Sequence, residues 1–171
     1  MRLTFWERLD LAARAVFPFL VTLLMVLISA MPLRVPELST IMPPLALVSV
    51  CYWSIYRPDL LPLWGVFAIG LLQDLLSGGP IGVATLTLIS VHALVLWQRR
   101  LFVTASFPMV WCGFMVLAAA ALGLMWLLTC LGMLTFVSPR PLLFQYILTV
   151  AAYPCFSWLM TQGQRVFRPV D

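Results

Sequence analysis

Lysine is absent from this 171-residue chain, and charged residues of every kind make up only 9% of it. Soluble globular domains contain about 25% charged residues, so the composition excludes an ordinary soluble fold. With 63% hydrophobic residues and a mean hydropathy of +1.05, the sequence is typical of a membrane protein that crosses the bilayer several times. Only the first 14 residues and the last eight form longer stretches outside the apolar runs. They leave no room for a soluble catalytic domain.

Groups that support catalysis or metal binding are also scarce. The four cysteines lie in apolar stretches, without a C-x-x-C pair or the spacing of zinc ligands. They are typical of small hydrophobic packing residues: Cys51, Cys112, Cys130 and Cys155. No G-x-S-x-G, H-E-x-x-H, Walker or paired-carboxylate motif occurs. We therefore expect no catalytic residue, no metal site and no cofactor.

One carboxylate stands out inside the apolar sequence. Asp74 is the only charged residue in the stretch 60–98, which is too long for one helix because the hydrocarbon core needs about 20 residues. The Ser-Gly-Gly-Pro sequence at 77–80 predicts a turn that divides the stretch into two helices. Three small residues share the helix face of Asp74: Gly70, Ser77 and Gly78. Small residues let another backbone approach the carboxylate closely.

The apolar runs as a whole predict an all-α bundle of six transmembrane helices. Its predicted spans are 15–33, 38–56, 60–77, 81–98, 108–131 and 141–160. Between 101 and 139, one long helix and two short ones are both compatible with the sequence, and we favour one because no turn signal precedes Gly132. The domain prediction is an N-terminal segment of residues 1–14, a transmembrane domain of residues 15–163 and a tail of residues 164–171. Within the first segment, residues 3–14 predict either a short interfacial helix or a solvated leader.

The arginines are distributed unequally between the two ends of this predicted bundle. Eight lie at one end: Arg2, Arg8, Arg14, Arg57, Arg99, Arg100, Arg165 and Arg168. Two lie at the other end: Arg34 and Arg140. Because cytoplasmic loops carry the excess of positive charge, we expect the first end and both termini to be cytoplasmic. Asp74 then lies about one turn below the outer surface.

Three local predictions concern the ends of helices. Asp59 is placed to be the N-cap of the third helix, with Pro62 in its first turn. The fourth helix is expected to end at Arg99 and Arg100. An aromatic anchor at the membrane surface is predicted at the end of the second span: Tyr52, Trp53 and Tyr56.

Two interpretations of Asp74 follow from its position. Either it accepts hydrogen bonds from the Gly78 and Gly79 amides or from the start of the fourth helix, or it acts as a proton or cation relay or contacts a partner. We favour the first, because a relay usually recruits further acids or bases within the membrane. It predicts that Asp74→Asn retains most function, whereas Asp74→Ala or Gly79→Val lowers the amount of folded protein and weakens partner binding. His92 is interpreted as a hydrogen-bonded packing residue, because a metal site would need further ligands. Ala119 and Gly123, four residues apart, form a small patch suited to close helix packing.

The spacing of residues around Asp74 also resembles that of a known family. The pattern is Gly70-x-x-x-Asp74-x-x-Ser77-Gly78-x-Pro80-x-Gly82-x-x-x-Leu86, preceded by Tyr52-Trp53 and the Arg57-Pro58 turn. With the chain length and six short spans, it resembles the rod shape-determining protein MreD family over nearly the whole chain. The resemblance implies a non-enzymatic inner-membrane subunit of the bacterial cell-wall elongation machinery. The implied partners are MreC and, through it, the actin-like MreB and the RodA glycosyltransferase with its class B penicillin-binding protein.

Two other functions compete with this one. The family also looks like the six-span substrate-binding S-components of energy-coupling-factor vitamin transporters. Against that function, the first span lacks the Ala-x-x-x-Ala pattern that S-components use for docking, and the outer loops are short. An intramembrane enzyme would need a second polar group facing Asp74, and His92 is expected several turns deeper. A gene for MreC directly upstream would favour the elongation subunit, and a gene for a transport ATPase would favour the transporter.

Overall fold

The computed structural model describes residues 18–29, 44–135 and 138–166, and nearly all of these residues are α-helical. The helices are α1 Pro18–Ser29, α2 Leu45–Tyr56, α3 Leu63–Ser77, α4 Val83–Thr104, α5 Phe107–Met133 and α6 Arg140–Val166, with a short 3-10 turn at Pro58–Leu60. The described ranges contain no strand. Four predicted features lie outside them: the interfacial segment 3–14, the loop at 34–37, the start of the second span at 38–43 and the end of the tail at 167–171.

Helix length separates the fold into two groups. Three helices are long and apolar enough to cross a membrane: α4, α5 and the Arg140–Leu159 part of α6. The described parts of α1, α2 and α3 have between 12 and 15 residues, fewer than the roughly 20 that span a hydrocarbon core. The all-helical membrane fold is therefore confirmed, and membrane crossing by all six helices stays a prediction.

Helix α2 occupies the centre of the described fold. Every residue from 46 to 55 is buried, as expected for a helix that is apolar all round. Its Ser49 hydroxyl lies 2.8 Å from that of Thr22 in α1, and its other sides pack on α4 and α6. Tyr52 and Trp53 are each 2% exposed and form an edge-to-face pair. The predicted surface anchor is therefore wrong for these two residues, because the surrounding helices enclose the end of α2.

Two predicted helix ends need correction. Asp59 lies in the 3-10 turn, and the N-cap of α3 is Pro62, because a residue before proline is kept out of the helical conformation. Helix α4 continues past Arg99 and Arg100 to Thr104. Arginine is a good helix former, so charge alone does not end a helix.

Helices α5 and α6 pack as an antiparallel pair. Residues 107–133 form one continuous helix, as favoured from the sequence. The Trp111 indole donates to the Val150 carbonyl at 3.2 Å, and the Tyr146 hydroxyl donates to the Met115 carbonyl at 3.2 Å. The rings of Phe114 and Tyr153 also stack across the pair, with their centroids 4.0 Å apart.

Contacts at the two ends of the bundle fix the direction of the helices. At one end, Arg99 Nε donates to the Ile55 carbonyl at 3.2 Å, so the ends of α2 and α4 lie together with Arg57. At the other end, a Cβ at Gly132 would lie 3.1 Å from Pro80 Cβ, so the end of α5 meets the turn between α3 and α4. This antiparallel arrangement agrees with the placement of Arg57 and Arg99 at a common end.

Candidate functional site at the α3–α4 hairpin

The α3–α4 hairpin comprises α3, the turn at 78–82 and α4. Gly78 ends α3 in the left-handed conformation with φ 65°, and Gly82 precedes α4 with φ 102°. A side chain in a left-handed conformation costs roughly 1–2 kcal/mol, so glycine suits both positions. The Ser77 hydroxyl donates to the Asp74 carbonyl at 3.1 Å. These residues bring the first turn of α4 directly beside the last turn of α3.

The Asp74 carboxylate is 3% exposed and accepts four hydrogen bonds. Oδ2 accepts the Gly82 and Thr85 amides, each at 3.0 Å, and the Thr85 hydroxyl at 2.6 Å. Oδ1 accepts the Ala84 amide at 2.8 Å. All four donors belong to the start of α4. The sequence predicts donors either from the start of this helix or from the turn before it. The Gly78 and Gly79 amides are not among the described donors.

Asp74 completes the hydrogen bonding of the first turn of α4. A helix leaves its first four amides without an intrahelical partner. Here the Val83 amide donates to the Pro80 carbonyl at 3.4 Å, and Asp74 accepts the amides of the other three residues: Gly82, Ala84 and Thr85. The carboxylate lies at the N-terminus of α4, where the helix dipole stabilises negative charge. Its negative charge is therefore stabilised within the hairpin.

Gly70 allows the close approach on which these hydrogen bonds depend. A Cβ on Gly70 would lie 2.6 Å from Thr85 Cα and 3.1 Å from Thr85 N. Such distances are well inside van der Waals contact, and the atoms belong to the backbone of α4, which cannot move independently of its helix. The backbone of Thr85 thus packs against Gly70, and the amide and hydroxyl of Thr85 donate hydrogen bonds to Asp74.

His92 connects α4 to α2 and is not among the residues that bind Asp74. It is 3% exposed, and its Nδ1 lies 2.7 Å from the Ser54 hydroxyl oxygen. Ser54 also donates to the Val50 carbonyl at 2.6 Å; because a serine has one hydroxyl hydrogen, His92 Nδ1 is the donor of the other bond. His92 follows Thr85 by seven residues, about 10 Å along the helix. The structure thus supports a packing role, and Ser54 is a partner that the sequence analysis missed.

The remaining predicted residues lie apart from the hairpin. Ala119 is exposed, and a Cβ at Gly123 would meet no described atom within 4 Å. This patch therefore makes no close helix contact within the described ranges. All four cysteines are free. Within the described part of the chain, no three of the His, Cys, Asp and Glu side chains lie together as a metal-binding group.

Comparison with known proteins identifies the family. No curated protein and no solved structure matches the chain. The family model for the rod shape-determining protein MreD matches residues 11–162, a range that includes the whole α3–α4 hairpin. Proteins of this family are membrane proteins with a role in rod-shape determination, and the resemblance inferred from the pattern around Asp74 is confirmed. The chain therefore belongs to the rod shape-determining protein MreD family.

Proposed function

We propose that this protein is a non-enzymatic subunit of the cell-wall elongation machinery in the bacterial inner membrane. In this role it contacts MreC and, through MreC, supports MreB and the RodA synthase with its class B penicillin-binding protein. The observation that carries the proposal is the family match over residues 11–162. The site geometry supports a structural role, because backbone amides and a neighbouring hydroxyl engage both oxygens of Asp74.

The proposal includes a topology with six spans and both termini in the cytoplasm. The unequal distribution of arginines supports it. It is also supported by the antiparallel order of the described helices, with Arg99 held at the end of α2 and the hairpin turn at the opposite end. Labelling of single introduced cysteines tests the topology. We expect a cysteine beside Arg100 to be labelled from the cytoplasm and one beside Arg140 from outside; the reverse result would overturn the orientation.

Binding of a vitamin, as in an S-component, is the competing function. One pocket between α2, α3, α4 and α5 has a volume of only about 10 Å³, roughly the space of one water molecule. Small-molecule pockets usually measure about 300–1,000 Å³. Its lining is apolar except for Gln73 and Thr87. Few polar groups are thus available there to recognise a polar vitamin.

Depletion in a rod-shaped bacterium tests the proposed function directly. We expect cells to become round and the amount of MreC recovered with the membrane complex to fall. Re-expression of the wild-type protein should restore both, and the purified protein should bind no vitamin. Normal rods after depletion, together with tight binding of a vitamin, would replace the proposal by the transporter function.

A further inference from the structure

The end of the bundle opposite the hairpin turn carries a group of arginines. Arg57 follows the last residue of α2, and Arg99 and Arg100 are consecutive on α4. The hydrogen bond from Arg99 Nε to the Ile55 carbonyl, at 3.2 Å, joins the two segments. No other hydrogen bond of that guanidinium is made within the described part of the chain. The fold therefore places three arginines at the same end of the bundle.

No carboxylate in the described ranges neutralises this group. Asp74 is at the opposite end of α4, where it bonds the first turn of that helix. Asp59 is exposed and makes no ion pair with the arginines. Arg57 and Arg100 are exposed as well, whereas Arg99 is partly buried. Within the described ranges, the arginine group thus has no anionic partner.

Apolar side chains extend from the arginine group along α4. Trp97 is 80% exposed and Leu101 is 65% exposed. They lie four residues apart on one helix face, and Arg100 follows Trp97 by three residues on the same face. Tryptophan favours the boundary between headgroups and acyl chains. This face therefore presents a cation beside an apolar surface, as a phospholipid requires.

We propose that Arg57, Arg99 and Arg100, with Trp97, form a binding site for the phosphate headgroup of an anionic phospholipid. The guanidinium groups bind phosphate oxygens through paired, charge-assisted hydrogen bonds, and Trp97 and Leu101 contact the acyl chains. Basic clusters at the ends of membrane helices attract anionic lipids in this way. The site lies in the membrane leaflet at the α2–α4 end, which the proposed topology makes the cytoplasmic leaflet. It extends beyond the shape-determining role and does not depend on it.

Quenching of tryptophan fluorescence tests the site in the full-length protein. The protein is reconstituted into phosphatidylcholine vesicles with a small fraction of phosphatidylglycerol, and either lipid carries brominated acyl chains. Subtracting the signal of Trp97→Phe isolates Trp97 from the other tryptophans. We expect brominated phosphatidylglycerol to quench Trp97 more strongly than brominated phosphatidylcholine does. The difference should correspond to an affinity for phosphatidylglycerol that is about fivefold higher for each arginine in the site.

Arginine variants show whether the preference belongs to this site. Arg100→Gln changes an exposed residue and is expected to lower the preference about fivefold, and replacing all three arginines by glutamine should abolish it. Arg140→Gln, at the opposite end of the bundle, is the matched control and should leave the preference unchanged. Equal quenching by the two lipids in the wild-type protein would overturn the proposal. An unchanged preference in Arg100→Gln, or an equal loss in Arg140→Gln, would also overturn it.

Discussion

The two described helical hairpins of this protein are held together in different ways. In the α3–α4 hairpin, one carboxylate accepts three backbone amides and a hydroxyl, and a glycine lies against the opposite backbone. In the α5–α6 pair, Trp111 and Tyr146 donate to carbonyls of the facing helix, and Phe114 stacks on Tyr153. In the first hairpin, Asp74 and Gly70 each control several contacts, whereas the second hairpin divides its stability among several aromatic side chains.

The chain segments that end α3 and α5 show the same difference. Gly78 supplies the left-handed conformation after α3, but Leu134, which is 89% exposed, adopts φ 51° after α5. A left-handed leucine costs roughly 1–2 kcal/mol. The end of α5 thus accepts backbone strain that the end of α3 avoids. We infer that the geometry of the α3–α4 hairpin is under the tighter constraint.

The largest effect is expected from Gly70→Val. Its side chain would overlap the backbone of Thr85, which lies 2.6 Å from a Cβ at this position, and moving the helices apart would also stretch the bonds from Thr85 to Asp74. Overpacking alone costs about 1–3 kcal/mol or more. We expect most of the folded protein to be lost from the membrane, as measured by size-exclusion chromatography in detergent with a fluorescent tag. Gly123→Val, where no described atom lies within 4 Å, is the control.

Normal amounts of Gly70→Val would show that α3 and α4 do not approach each other this closely.

The structure also changes the expectation for Gly79, whose added Cβ would meet only the Ser77 hydroxyl, at 3.8 Å. Gly79→Val is therefore expected to fold, contrary to the prediction from the sequence. Within the α3–α4 hairpin, glycine is required at Gly70, for contact with α4, and at Gly78 and Gly82, for their positive φ.

Asp74→Ala should have the second-largest effect. It leaves the Gly82, Ala84 and Thr85 amides and the Thr85 hydroxyl without their acceptor. Each buried donor left unpaired costs about 1–3 kcal/mol, although water entering the hairpin would reduce the total. We expect a marked fall in the midpoint of thermal unfolding and in membrane abundance. An Ala variant as stable as the wild-type protein would show that these bonds do not hold the hairpin.

Parts of this comparison could be predicted from the sequence. Asp74 and the glycine-rich turn stand out because charge and turn residues are rare in the apolar stretch 60–98. The burial of Tyr52 and Trp53 could not be predicted. Apolar side chains face both lipid and neighbouring helices in a membrane protein, so hydrophobicity does not distinguish the two environments. The Ser54–His92 bond likewise depends on the packing of α2 against α4, which no local pattern specifies.

Asp74→Asn should have an intermediate effect, and it separates the structural role from a role of the charge. If the asparagine amide oxygen takes the place of Oδ2, the Gly82 amide and the Thr85 amide and hydroxyl keep their acceptor. The asparagine amide nitrogen then takes the place of Oδ1, and since it is a donor it cannot accept the Ala84 amide. The sequence alone predicts that Asn retains most function, whereas the structure predicts a partial loss of stability. Cell shape should follow membrane abundance in both Asn and Ala variants. An Asn variant that is abundant yet leaves cells round would contradict the structural role.

The smallest effect is expected in the α5–α6 pair, from Tyr146→Phe. This change removes the bond from the Tyr146 hydroxyl to the Met115 carbonyl, and that carbonyl retains its place in the α5 helix. The net contribution of one such bond is about 0.5–1.5 kcal/mol, and the ring keeps its contacts in the pair. We expect a small fall in the unfolding midpoint with normal abundance and cell shape. Trp111→Phe, which removes the bond to Val150, should behave alike. If either variant lost as much folded protein as Asp74→Ala, the two hairpins would not differ in their dependence on single residues.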